Sequence, residues 1–315
     1  MNIFLELEAD VNEQGGYHGT ALQAAAFQGH LEGVQLLLNN GADIDLQGGD
    51  SGTALQAAAS GGCIDIMNIV LELGEDVNEQ GGYYGTALQA ATSRGDLEGV
   101  QLLLNNGADI NLQGGVFGTA LQAAAASKGH HCLDMMHFFL EHGVDVNAQG
   151  GVWGTALQAA AVQGHLEGVQ LLLNNGADIN LQGGKTGTAL QAAALGGCIG
   201  IMDIFLELGA DVNGQGGDYG TALQAAASEG HLDIMHLLLE HGADVNAKGG
   251  QFGTALQAAT SMGHLKAVHI LLDKGAEVEL VNAQYNYSYF NTALEAAVLQ
   301  NHKEVVLLLQ ERGAV

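Results

Sequence analysis

Three groups of side chains in this 315-residue sequence are of types that could do chemistry. The first is His130, His131 and Cys132, followed by His137, a set of nitrogen and sulfur donors suited to a transition metal. Adjacent residues rarely converge on one ion, and zinc motifs use wider spacings. This run is therefore read as a lengthened loop, with no metal and no cofactor. The second is Tyr285, Tyr287 and Tyr289, whose alternate spacing would put three rings on one face of an extended hairpin. That is the form of a partner-binding finger. The third is Trp153, Lys185 and Tyr219, with Asp50, Asp218 and Glu229 as further titratable groups of the same sequence zones. A catalytic pocket would need such a titratable group against an aromatic wall. No Gly-rich phosphate loop follows a strand. No Ser/His/Asp set sits in a nucleophile-elbow context. No catalytic residue is assigned.

Charge narrows the partners. Eight Lys and Arg stand against 35 Asp and Glu, a formal charge of -27. Residues 1–93 hold thirteen acids and no Lys or Arg, the first base being Arg94. Phosphate backbones are bound by neutralising them with Lys and Arg, so nucleic acid and anionic membrane surfaces are excluded as partners. No apolar run is long enough to span a membrane. The opening MNIFLELEAD lacks the basic start of a signal peptide. Three cysteines at low density suit a reducing compartment, which gives an intracellular expectation, cytoplasmic or nuclear.

The elements that would position these residues come from a repeat. GTALQAA recurs from Gly19, Gly52, Gly85, Gly118, Gly154, Gly187, Gly220 and Gly253, with a relaxed NTALEAA from Asn291. The dominant period is 33 residues. Each Thr is a good N-cap for the short Ala-rich helix after it. Gly-His, as in Gly29-His30, then breaks the chain. Leu31 to Asn40 carries an apolar stripe at helical spacing, and Gly41 can take the left-handed conformation that ends a helix. The stretch from Ala42 to Gly49 reads as extended and closing in a turn. The expected fold is all-α: helix, turn, helix and hairpin loop, about nine times. The boundaries are a half repeat at 1–16 and units 17–49, 50–82, 83–115, 116–151, 152–184, 185–217, 218–250, 251–288 and 289–315, in one array. The half repeat follows from Met1–Leu7 aligning with Met67–Leu73, part of a second helix. Unit 9 would supply a partly polar cap through Lys303, Glu304, Gln310, Glu311 and Arg312. The three cysteines lie two repeats apart, too far for a disulfide, and are expected to be buried free thiols.

The unit Thr20-Ala21-Leu22-Gln23-Ala24-Ala25, then Gly29-His30, Leu36-Leu37-Leu38 and Gly41-Ala42-Asp43-Ile44-Asp45, resembles the ankyrin repeat. Its Gly-rich form is similar to the long arrays of filamentous fungi. Two departures recur: Ala stands where the family has Pro at the first helical position, and Gln where it has His. The resemblance implies a solenoid whose hairpin tips and first-helix ends line a concave binding face.

On that scaffold the candidate sites are the positions that vary between otherwise identical units. The tip pairs contribute Tyr17, His18, Tyr83, Tyr84, Phe117, Trp153, Lys185, Tyr219 and Phe252, and the first-helix ends contribute Phe27, Val162 and Leu195. The second tip residue is aromatic in six of nine units, which reads either as an anchor ladder for a partner or as rings covering the Gly pairs of neighbouring tips. Two functional readings follow. One is a protein-interaction scaffold for a basic or amphipathic partner, or for further repeats at the acidic N-terminal end. The alternative is a small-molecule-binding or catalytic protein that holds an apolar metabolite in the aromatic groove.

Overall fold

The computed structural model describes residues 10–129, 131–279 and 291–314. The half-repeat residues before Asp10, His130 and the Tyr285–Tyr289 run lie outside the described residues. The described residues form eighteen α-helices and no strand longer than an isolated bridge. The chain divides into two compact units, Met1–Val152 and Trp153–Val315. Within each, the helices come in antiparallel-loop pairs such as Ala54–Gly61 with Ile64–Glu72 and Ala222–Glu229 with Leu232–Glu240.

The helices form where capping and periodicity place them. Thr53 has an extended backbone and its hydroxyl accepts from the Gln56 N–H at 3.3 Å, while Gln56 Oε1 accepts from the Thr53 N–H at 3.0 Å. This reciprocal pair satisfies two of the donors that a helix start leaves open. It compensates for the absent proline, which would only have preset one dihedral angle. Most first helices run one or two residues further than the alanine run, so the variable pair after the alanines sits on a last helical turn. Left-handed glycines such as Gly62 and Gly230 then stop them.

The core lies between successive pairs. Alanines of the first helices are almost fully buried, and the apolar stripes of the second helices, such as Ile66, Met67 and Val70, close the layer. Small alanines let neighbouring first helices approach closely.

The conserved spacing hides a second network. The side chain of the repeated Gln is buried and reaches into the next unit. Gln224 Nε2 donates to the carbonyls of Gly249 at 3.0 Å and Gly253 at 2.7 Å, while its Oε1 accepts from the Thr221 N–H at 2.6 Å. Gln23 makes the same bridge to the carbonyls of Leu46 and Gly52, both at 2.6 Å. Gln thus fills its amide donors and acceptor together, which a neutral imidazole with one donor could not do. A parallel network joins the loops after the second helices. Asn78 donates to the Gly107 carbonyl at 3.1 Å and accepts from the Asp109 N–H at 2.7 Å. Asp76 accepts locally from the Asn78 N–H at 2.9 Å.

The cysteines depart from expectation. Cys63, Cys132 and Cys198 are free, but they are half-buried rather than buried. Cys63 and Cys198 stand at the N-cap of a second helix, where most other units carry a His, and Cys132 is the first residue of its helix, after His131. At that N-cap place His264 Nε2 lies 2.9 Å from the Ser228 carbonyl, and Cys63 Sγ lies 3.8 Å from that of Phe27. Burial pushes the thiols of Cys63 and Cys198 above their ordinary value, so they are not activated nucleophiles.

Candidate functional site

The tips are held by backbone. In the first compact unit the N–H of Asp50 donates to the Tyr17 carbonyl at 2.9 Å, Tyr83 to Asp50 at 2.8 Å, Val116 to Tyr83 at 3.0 Å and Val152 to Val116 at 2.8 Å. In the second, Asp218 donates to Lys185 and Gln251 to Asp218, both at 2.7 Å. The first residue of each tip pair is therefore a rung of a backbone ladder, and its side chain is left free to vary. Tyr17, Asp50, Tyr83, Lys185 and Asp218 are exposed, while Val116, Val152 and Gln251 are half-buried.

The Gly pair permits this close stacking. A Cβ on Gly115, whose φ is +58°, would collide with the backbone of Tyr84. The same holds at Gly250, φ +59°, against Tyr219. Only glycine accepts both the left-handed backbone and the approach.

The second tip residues do not form one continuous ladder. In the first unit they read His18, Ser51, Tyr84 and Phe117, and in the second Trp153, Thr186, Tyr219 and Phe252. Each run is ring, hydroxyl, ring, ring. The hydroxyls bond back to the preceding tip: Ser51 Oγ lies 2.8 Å from His18 Nδ1, and Thr186 Oγ1 donates to the Trp153 carbonyl at 3.3 Å. The last two rings of each run pair. Tyr84 and Phe117 stack at 6.0 Å with an 18° interplanar angle, and Tyr219 and Phe252 sit at 6.3 Å and 39°. Tyr83 adds an edge-on contact to both Tyr84 and Phe117, at 5.2 and 6.1 Å. His18 packs on Phe27 at 4.7 Å, joining tip to first-helix end.

Burial sorts the candidates. Tyr17 and Tyr83 are exposed and Lys185 is exposed. His18, Phe27, Tyr84, Phe117, Trp153, Val162, Leu195 and Tyr219 are half-buried, so each keeps a face to offer. Phe252 is only 5% exposed and spends its surface on the protein itself. Rings at this face thus serve both packing and surface, and the division runs residue by residue.

The electrostatics are acidic around the second ring pair. Burial, then Glu229 and then Asp218, raise the Tyr219 hydroxyl above its ordinary pKa. Both carboxylates therefore lie close enough to act on it, and the face there combines apolar rings with negative charge. His131 and Asp134 approach at 3.7 Å on an exposed turn, and no group of three or more metal-ligating side chains gathers among the described residues.

Sequence reasoning missed one unusual group. Glu75 stands where seven other units have Ala, and it is only 5% exposed. Both its oxygens accept from the Leu55 N–H, at 3.0 and 3.1 Å, in the first turn of Ala54–Gly61. Burial is the main cause that pushes its carboxyl up to about 7, with Asp45 and Glu79 adding repulsion against the hydrogen bonds from Thr53 and Leu55. Asp45 itself stands where other units have the bridging Asn, and a carboxylate cannot donate. The break in the Gly-Ala-Asp-x-Asn pattern at both positions was the available signal.

Two family models match the chain. One, described as ankyrin repeats (3 copies), matches residues 1–81, 22–114, 87–183 and 248–315. The other, described as ankyrin repeats (many copies), matches residues 191–239 and 223–272. No curated protein matches the chain.

Proposed function

The chain belongs to the ankyrin repeat family, whose repeats are generally protein–protein interaction modules, and from that premise we propose that it binds an amphipathic protein segment along its tip faces. The observation that carries this reading is the pairing of half-exposed rings with nearby carboxylates. Tyr83, Tyr84 and Phe117 in one unit, and Trp153 and Tyr219 in the other, offer large rigid area at low entropic cost. Val162 and Leu195 extend the apolar strip on the first-helix ends. Asp218 and Glu229 beside Tyr219 supply charge for Lys or Arg flanking the partner's apolar residues. The backbone ladder holds the rungs in place, so little ordering is left for binding to supply.

Selection of peptides on the full chain from a displayed random library tests the reading. Enriched peptides should combine aromatic or aliphatic anchors with Lys or Arg. Tyr83→Ala, Trp153→Ala and Leu195→Ala should each weaken them about tenfold or more, as anchor truncations do, with helical circular dichroism unchanged. Undiminished binding by all three variants would sink the proposal.

A further inference from the structure

The C-cap of the second helix follows a polar rule that two units break. Asn40, Asn106 and Asn175 each donate from the side chain to the carbonyl four residues back, at 2.8 Å. At the same place His142 and His241 hold Nδ1 2.7 and 2.8 Å from the carbonyls of Phe138 and Leu237, and Lys274 and Arg312 carry charge. Leu73 and Leu208 are the exceptions. Neither side chain can make that bond, and they are 58% and 59% exposed. A single exposed leucine is ordinary, whereas one continuous with further apolar surface marks a contact site.

Leu73 has such a surface beside it. Neighbouring first helices pack closely through alanines, but neighbouring second helices touch sparsely. Between Leu31–Asn39 and Ile64–Glu72 this leaves a groove of about 600 Å³, where half-buried Leu38, Ile44 and Ile69 stand with Leu73. All seven lining residues recur, type for type, 135 positions on. Leu173, Ile179 and Ile204 are again half-buried and Leu208 exposed, on Leu166–Asn174, Ile199–Glu207 and the loop between units. One set lies inside each compact unit. No tip or first-helix residue lines the groove, so it is separate from the tip faces.

We propose that these are two copies of one docking site, each taking a short helix of a partner protein whose aliphatic side chains are flanked by Lys or Arg. A third helix can lay its apolar ridge between two others. An extended segment would find no backbone partner there, because the N–H and C=O groups of a helix bond within it. Charge selects the flanks. Residues 31–76 hold eight acids and no Lys, Arg or His, and residues 166–211 hold five acids against Lys185, which belongs to a tip pair. Exposed Asp43 and Glu72 adjoin Ile44 and Leu73 along the chain, and Asp178 and Glu207 adjoin Ile179 and Leu208. Lys274, at the leucine's place in the eighth unit, repels such a segment, so the array discriminates between its own junctions. A second copy of the chain fits poorly, since it brings 35 acids and only eight Lys and Arg.

Isothermal titration of the full chain with a synthetic Leu/Lys peptide of roughly four helical turns, its leucines on one face, tests the proposal. Leu73→Asn and Leu208→Asn place there the side chain that already caps three other units, so both variants should fold, and circular dichroism checks it. Each should remove one binding equivalent per chain, and the double variant two. A peptide of the same composition with its leucines scattered should bind at least about tenfold more weakly, because only charge remains to hold it. The losses should be the same in a Tyr83→Ala/Trp153→Ala background, which separates these grooves from the tip faces. An unchanged number of equivalents in the double variant overturns the proposal, as does a scattered peptide that binds as well. Self-association of the chain without peptide, abolished in the double variant, also overturns it, because the occupant would then be a second copy.

Discussion

Glu75 offers a sharp test of how this lattice treats a buried charge. Its carboxyl is pushed up to about 7 from an ordinary value of 4.5, chiefly by burial. The folded chain therefore keeps a proton there that the unfolded chain releases. Below pH 4.5 both states hold the proton and the full stability is present. As pH rises from 4.5 to about 7, unfolding releases a proton, so stability falls by roughly 1.4 kcal/mol per pH unit. The loss across the window is about 3 kcal/mol, complete above the folded-state value. Glu75→Gln keeps an oxygen to accept from the Leu55 N–H and removes the titration. Every other group is shared, so the wild-type minus variant difference isolates this carboxyl. Urea unfolding should find the two chains close in stability at pH 4.5 and the variant more stable at pH 8, by up to about 3 kcal/mol. Glu75→Ala, which restores the residue of seven other units, should share the gain at pH 8. A stability difference that stays constant between pH 4.5 and 8 would refute the reasoning, because it would mean that the carboxyl ionises in place without cost.

The remaining tests concern the lattice and the tips. Gln224→Ala strands the Thr221 N–H and removes one of the two donors to each of the Gly249 and Gly253 carbonyls, which keep each other's N–H, and chemical denaturation should show a loss of about 1–3 kcal/mol. Gly107→Ala, with φ +88° and open space around it, should cost about 1 kcal/mol from backbone strain alone. Gly115→Ala adds a collision with Tyr84 and should cost about 2 kcal/mol more, with loss of the Tyr84–Phe117 near-ultraviolet signal. Phe252→Ala, at a 5% exposed position, should destabilise by about 3 kcal/mol. Tyr17→Ala, at 63% exposure, should change thermal unfolding by less than about 0.5 kcal/mol.

Much of the fold was legible because its causes are local and repeat. A capping Thr, an alanine run, a left-handed Gly and an Asp turn each act within about five residues, and repetition of the motif removes the ambiguity that a single copy would carry. The variable positions could be found as interruptions of the rule, and they do lie at tips and first-helix ends. What each of them does could not be read in the same way. Phe252 and Tyr84 occupy the same register, yet one is buried and the other half-exposed, because exposure depends on the side chains that the adjoining units set beside each ring.

The sequence by itself therefore determined the repeat, its helices, its turns and the sign of its charge, all of which follow from dihedral preference, capping and composition. Tertiary structure alone decided where the Gln amides go, which rings pair, how far the thiols are covered and why Glu75 holds its proton. Each of those depends on what the neighbouring repeat places within a few ångströms, and hydrogen bonding, desolvation and packing are set by that distance rather than by position along the chain.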